Sequence, residues 1–211
     1  MKAVMMKKTT MAVAAAVLGM IANQAMAQDQ SPWLVRARVV NIAPDNSVDR
    51  NVAGTGLDLT VSSKTIPEID MSYFFSRNIA AELILTYPQK HNVALGGTPI
   101  GSFKHLPPTL LAQYHFAPAG QFDPYLGAGL NYTRISSVDL PSVNGHLENH
   151  SFGLALQAGV DCKIDKNWSL NLDVKKIRIR SDLTVLGGAS GNGGTVKVDP
   201  LLIGAGVGYR F

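Results

Sequence analysis

The sequence predicts an all-β protein, an eight-stranded antiparallel transmembrane up-and-down β-barrel, and three observations lead there. Eight segments of 10 to 14 residues alternate apolar and polar side chains with a period of two. They are longer than the roughly 5 or 6 residues usual in soluble sheets and match the roughly 9–11 that cross a bilayer at a tilt. The connections between them alternate long and short, and charge is confined to one face of each segment away from one end.

The chain opens with Lys2, Lys7 and Lys8, an apolar run over Met11–Ile21 and the small-residue pattern Ala25-Met26-Ala27. Residues 1–27 are expected to be a cleaved secretory signal, leaving a single barrel domain over 28–211. No other window approaches the roughly 20 apolar residues of a spanning helix. Without the three signal lysines, 16 basic residues stand against 15 acids, a balance that gives no footing for nucleic acid. The one cysteine, Cys162, has no internal partner for a disulfide.

Each strand follows from its alternation. Trp33–Ala43 sets Trp33, Val35, Ala37 and Val39 against Arg36, Arg38, Val40 and Ile42. Lys64–Phe75 sets Ile69, Met71, Tyr73 and Phe75 against Ile66, Glu68, Asp70 and Ser72, and Ile79–Pro88 sets Leu83 and Leu85 against Glu82 and Ile84. Leu106–Phe116 and Asp123–Ile135 repeat the scheme, with Leu110 and Tyr114 on one face of the first and Leu126 and Leu130 on one face of the second. Ser151–Ile164 opposes Leu154 and Leu156 to Gln157 and Asp161; Trp168–Arg180 opposes Leu170 and Leu172 to Asn171 and Asp173. The last strand, Pro200–Phe211, puts Leu201, Ile203, Val207 and Tyr209 opposite Gly204, Gly206, Gly208 and Arg210, and it ends on an aromatic where membrane barrels carry a girdle.

The long connections are 44–63, 89–105, 136–150 and 181–197; the short ones are 76–78, 117–122 and 165–167. Long loops outside and short turns in the periplasm place both termini on the periplasmic side of a bacterial outer membrane. The wholly apolar faces are expected to meet lipid, because an Arg or Lys at the bilayer midplane costs about 2–4 kcal/mol. A soluble barrel of lipocalin type sorts its residues the other way.

Eight strands enclose little more than side chains or one small ligand. Arg36, Arg38, Glu68, Asp70 and Glu82 are expected to form a polar plug in the lumen, with Arg38 opposite Asp70 give or take a register step. Nearer the loops Val40, Ile42, Ile66, Ile177, Ile179 and Leu202 turn inward and form an apolar cup, which serves either as packing for folded-in loops or as a site for a small hydrophobic molecule. The basic run 175–180 raises Lys176, Arg178 and Arg180 to the outer edge of the apolar band, where lipopolysaccharide phosphates are the expected contact.

Four stretches resemble the OmpW family of outer-membrane proteins: HLPPTLLAQYHF at 105–116, DPYLGAGLNYT at 123–133, GLALQAGVDCKID at 153–165 and DPLLIGAGVGYRF at 199–211. The resemblance implies a monomeric eight-stranded barrel with a narrow apolar lumen, passage of small hydrophobic compounds and, in some species, a role as colicin receptor. The chain departs from the family where some members carry bulky aromatics and it has Lys175-Lys176, so no lid or gate is carried over.

The functional expectation is a channel or carrier for small hydrophobic molecules. The alternative is a structural or receptor barrel whose loops meet a colicin, a phage or a host. Outer-membrane lipid and lipopolysaccharide are expected partners, as is the barrel-assembly machinery through Phe211. His146, Glu148 and His150 have the look of metal-ligand spacing, but no helix aligns them and no further ligand is evident. No metal, cofactor or catalytic residue is expected, and His115 reads as a hydrogen-bonding group of the lumen.

Overall fold

The computed structural model describes residues 31–45, 59–139, 145–147, 150–185 and 195–211. The proposed signal 1–27 lies outside them. Among these described residues fourteen strands run in chain order: β1 (Trp33–Ala43), β2 (Leu59–Val61), β3 (Lys64–Phe74), β4 (Ile79–Leu85), β5 (Gln89–Leu95), β6 (Thr98–Leu106), β7 (Thr109–His115), β8 (Phe122–Asp139), β9 (Gly145–Leu147), β10 (His150–Lys163), β11 (Trp168–Ile177), β12 (Arg180–Val185), β13 (Thr195–Lys197) and β14 (Leu201–Arg210). Eight of them close a barrel in the order β1-β3-β4-β7-β8-β10-β11-β14, and β14 returns to β1 through ten antiparallel pairs from Leu34↔Arg210 to Ala43↔Leu201. Among the described residues each of these eight strands is paired on both sides, as a bilayer with nothing to hydrogen-bond requires.

The faces fall as the alternation predicts. Leu156 keeps 62% of its surface and Leu172 60%, while Arg36, Asp70 and Glu82 keep none. At the end carrying the termini, outward aromatics stack edge to face in pairs: Trp33 on Tyr73 at 4.9 Å, Tyr114 on Phe116 at 5.1 Å, Trp168 on Tyr209 at 4.9 Å and Tyr209 on Phe211 at 5.1 Å. Tyr87, Tyr132 and Phe152, all exposed, stand toward the other end. Two belts of amphipathic rings thus bracket the apolar wall.

The connections differ from expectation. Residues 89–105 are not a loop but the hairpin β5–β6, which turns on Gly96 (φ 55°) and Gly97 (φ 83°) between Leu95 and Thr98. Two successive positive φ values define the hairpin turn whose twist matches the strands, and glycine adopts them without a steric penalty. Parts of the other three long connections also pair: β2 lies beside β5, β8 runs on to Asp139, and β9, β12 and β13 make a small separate sheet.

The wall itself is interrupted beside this hairpin. The β3–β4 ladder stops at Ile69↔Leu85 and pairing resumes only at Val61↔Val93 between β2 and β5. On the other side the β4–β7 ladder stops at Ile84↔Thr109 and resumes at Gln89↔His105. Thr86, Tyr87 and Pro88 therefore belong to no ladder, and they are flanked by Pro67 on one side and Pro107-Pro108 on the other. Proline has no N–H to donate, so four of them around one short segment keep the sheet open. The Gln89 amide substitutes for the missing ladder by donating to Thr86 Oγ1 at 3.3 Å and to the Tyr87 carbonyl at 2.8 Å.

A charged plug beneath an apolar compartment

Arg36 and Arg38 sit two residues apart on β1 and so point into the lumen from adjacent rungs. Their cross-strand partners on β3 are Asp70 and Glu68, one step from the pairing expected between Arg38 and Asp70. The Arg36 guanidinium donates to both Asp161 oxygens at 3.1 and 2.6 Å, to Asp70 Oδ1 at 3.3 Å, to Ser72 Oγ at 3.0 Å and to Glu82 Oε1 at 3.2 Å. Arg38 reaches Asp173 Oδ2 at 2.7 Å, Asp70 Oδ2 at 2.6 Å, and Glu82 and Glu68 at 3.1 Å each. All five residues of the expected plug meet.

Alternation also turns Asp161, Asp173 and Lys175 inward, but their part in the plug depends on contacts across the barrel. Lys175, fully buried, donates to Glu68 Oε1 at 2.6 Å and lies 3.2 Å from Asp173. Asn171 donates to Asp161 at 2.9 Å and to the Tyr125 hydroxyl at 3.0 Å, and the Tyr125 ring lies 5.2 Å under the Arg36 guanidinium. Space for two arginines comes from β14. A Cβ on Gly206 would run into the Ala37 carbonyl and Arg38, and one on Gly208 would crowd Ser169 Oγ at 2.6 Å beside Arg36.

Below the plug the periplasmic mouth is narrow. A cleft of about 30 Å³ among Leu34, Phe74, Trp168 and Arg210 has room for about one water, and the Arg210 guanidinium covers the Phe74 ring at 4.1 Å. His115 hydrogen-bonds Asp123 at 2.9 Å and stacks on Tyr125 at 5.0 Å, a lumen contact of the kind expected.

Above the plug, Val40, Ile42, Ile66, Ile177, Ile179 and Leu202 form part of one buried apolar cluster. Ile84, Leu111 and Ile135 extend it around the wall, and Val61, Val93, Ile100 and Phe103 extend it into the β2–β5–β6 extension. Val93, Ile100 and Phe103 are not expected from a stretch, 89–105, whose sequence reads as a loop; the inward alternation of Gln89, His91 and Val93 is the signal that marks them. Ile66 adjoins Pro67, so the apolar compartment reaches the interruption in the wall. A shallow groove of about 690 Å³ over Ala112, Ala128 and Ala158 lies on the lipid-facing surface, apart from this compartment.

Of the basic residues at the upper end of β11, Lys176 lies 3.3 Å from Asp45 and is half exposed, and Arg178 is exposed. The Arg180 side chain, like those of His146 and Glu148, lies outside the described residues. Among the described residues no group of His, Cys, Asp and Glu is arranged to hold a metal.

The sequence profile of the OmpW family matches residues 30–211. The chain belongs to the OmpW family. It is 45% identical to the outer-membrane protein y4mB of Sinorhizobium fredii over 90% of this chain and 84% of that one. It is 26% identical to the dibenzothiophene metabolism operon protein PahQ of Pseudomonas aeruginosa, over 87% and 90% of the two chains. Among solved structures it resembles the outer membrane protein OprG of Pseudomonas aeruginosa with a TM-score of 0.73 at 27% identity, covering 86% of this chain and 97% of that one. This OmpW-family chain is a barrel of the bacterial outer membrane.

Proposed function

We propose that this barrel conducts small hydrophobic molecules from the cell surface into the outer membrane and releases them sideways through its wall. The carrying observation is that the apolar compartment has a sealed floor and a weakened side at the same height. Ionised groups fill the lumen below it, where an apolar solute has no favourable contact and water has little space. Beside it, Thr86–Pro88 stands free of both neighbouring ladders. Opening there costs few backbone hydrogen bonds, and the route leads to hydrocarbon, which is where such a solute partitions. The compartment is closed by its own packing, so entry requires the β5–β6 hairpin to shift. The relationship to a protein named for a dibenzothiophene metabolism operon supports aromatic heterocycles as one cargo class.

The test is uptake of a labelled polycyclic aromatic by cells producing the wild type, a Pro88→Ala/Pro107→Ala/Pro108→Ala variant that restores ladder donors, or no barrel. Wild-type cells are expected to accumulate the compound several-fold faster than the other two. Equal rates in all three strains, for several hydrophobic probes, reject the transport reading and favour the structural or receptor one.

A further inference from the structure

The outer surface of the β5–β6–β8 wall carries a second feature, unrelated to the lumen. Lys90 on β5 stands directly opposite Lys104 on β6, and both point outward. On β8, Arg134 is paired with Leu106 and is thus the diagonal neighbour of Lys104, and it too is exposed. Lys64 on β3 is not part of this group: it lies on the alternation that carries Ile66 and Glu68 inward, and its ammonium is 3.5 Å from the Lys90 carbonyl. Among the described residues none of the three outward cations Lys90, Lys104 and Arg134 forms an ion pair with a carboxylate, in contrast to Lys176, which has Asp45. Like charges directly opposite on neighbouring strands are destabilising, so the arrangement is unfavourable unless an anion sits between them.

The height of the cluster identifies the anion. Arg134 lies twelve residues along β8 from Phe122, an exposed aromatic at the periplasmic end of that strand, which at a tilt near 40° is roughly 30 Å, just above an apolar band about 25 Å tall. Immediately below on the same outward face are Leu110, Leu130 and Tyr132. A ligand of this site is therefore anionic above and apolar below, and multiply charged to suit three cations. We propose that Lys90, Lys104 and Arg134 bind the phosphorylated headgroup of a membrane-anchored glycolipid of the outer leaflet, the chemistry of lipid A. The acyl chains lie along the wall beneath, and the phosphates take charge-assisted hydrogen bonds from the lysines and a forked one from the arginine. The site is distinct from Lys176 and Arg178, two strands further around the barrel.

The experiment uses the full barrel in neutral phosphatidylcholine vesicles and measures retention of bisphosphorylated lipid A, dephosphorylated lipid A and inorganic pyrophosphate in the presence of a chelator. Wild type is expected to hold the bisphosphorylated form at least tenfold more tightly than the dephosphorylated one. The Lys90→Gln/Lys104→Gln/Arg134→Gln variant is expected to lose that preference, and an Arg77→Gln/Lys166→Gln variant, altered at the periplasmic turns, is expected to keep it. The mobility shift of unheated barrels on gels checks that each variant is folded. No preference for the phosphates, or the same loss in both variants, overturns the site. Displacement of lipid A by pyrophosphate at equal concentration overturns the lipid as its occupant in favour of a free anion.

Discussion

Arg36 and Asp161 meet across the lumen, 125 residues apart in sequence, in a two-point contact of 3.1 and 2.6 Å. Their strands, β1 and β10, are not neighbours in the wall, so the pair is a strut across the barrel. Arg36 also holds Asp70 and Glu82, and its loss leaves three buried carboxylates short of a partner. Arg36→Ala is expected to destabilise the barrel by about 3–5 kcal/mol. Asp161→Asn keeps an acceptor for Arg36 and leaves its other carboxylates in place, so a smaller loss is expected. Urea unfolding in vesicles, followed by tryptophan fluorescence, distinguishes the two; equal losses count against the strut.

The facing of every barrel strand is legible from the sequence, because a side-chain period of two leaves only two choices and the cost of charge in hydrocarbon selects between them. Arg36, Glu68 and Glu82 are assigned inward on that argument alone, as are Ile42 and Ile179. The hairpin at 89–105 escapes the same reading for a local reason. Between Ile84 and Gln89, both inward, the chain carries one residue too many for strict alternation, so the pattern loses phase at Thr86–Pro88 and the glycines beyond read as loop chemistry. Cross-lumen partners escape for a global reason. Adjacent antiparallel strands bring Arg36 to Asp70 by register, but whether Arg38 meets Asp173 or Lys175 meets Glu68 depends on the stagger of the closed barrel, which no single strand encodes.

The glycines of β14 are expected to be required for closure. Gly206 faces the Ala37 carbonyl and the Arg38 backbone, which leave no room for a methyl group. Gly206→Ala must push β14 from β1 or displace Arg38, and overpacking of this kind costs about 1–3 kcal/mol. Gly97→Ala is a contrasting case: a Cβ there meets nothing, and its penalty arises from the positive φ alone. Unfolding midpoints and the folded fraction on unheated gels are the measurements. A Gly206→Ala barrel as stable as wild type means that β14 and β1 are less tightly apposed than described.

The turn between β10 and β11 is held by Asp165, whose Oδ1 accepts from the backbone N–H of Asn167 at 2.8 Å and of Trp168 at 2.7 Å. The Trp168 contact, followed by that of Asn167, holds this exposed carboxyl below the usual carboxylate range. A depressed folded-state pKa contributes stability above the pKa of the unfolded carboxylate, and that contribution disappears as pH falls through the folded value. Asp165→Ala is expected to lower the thermal midpoint at neutral pH, with the difference from wild type shrinking in acid. A difference that stays constant from neutral pH down into the acid range argues against an ionised Asp165 as the anchor.

Depth in the bilayer is expected to govern what the outward face tolerates. Leu172 lies four residues above the girdle residue Trp168, roughly 10 Å up the wall, close to the midplane of a band about 25 Å tall. Leu154 lies six residues along β10 above Val160, the cross-strand partner of Leu172, roughly 15 Å higher and so at the band's upper edge, where an arginine reaches the headgroups. Both leucines are about three-fifths exposed, so in the absence of a membrane the same substitution costs the same at either position. In the bilayer Leu172→Arg is expected to cost about 2–4 kcal/mol and Leu154→Arg about 0–1 kcal/mol. Equilibrium unfolding of the two variants in vesicles of one lipid gives the comparison. A larger cost at Leu154 than at Leu172 shifts the membrane along the barrel, and with it the height at which Lys90, Lys104 and Arg134 meet the headgroups.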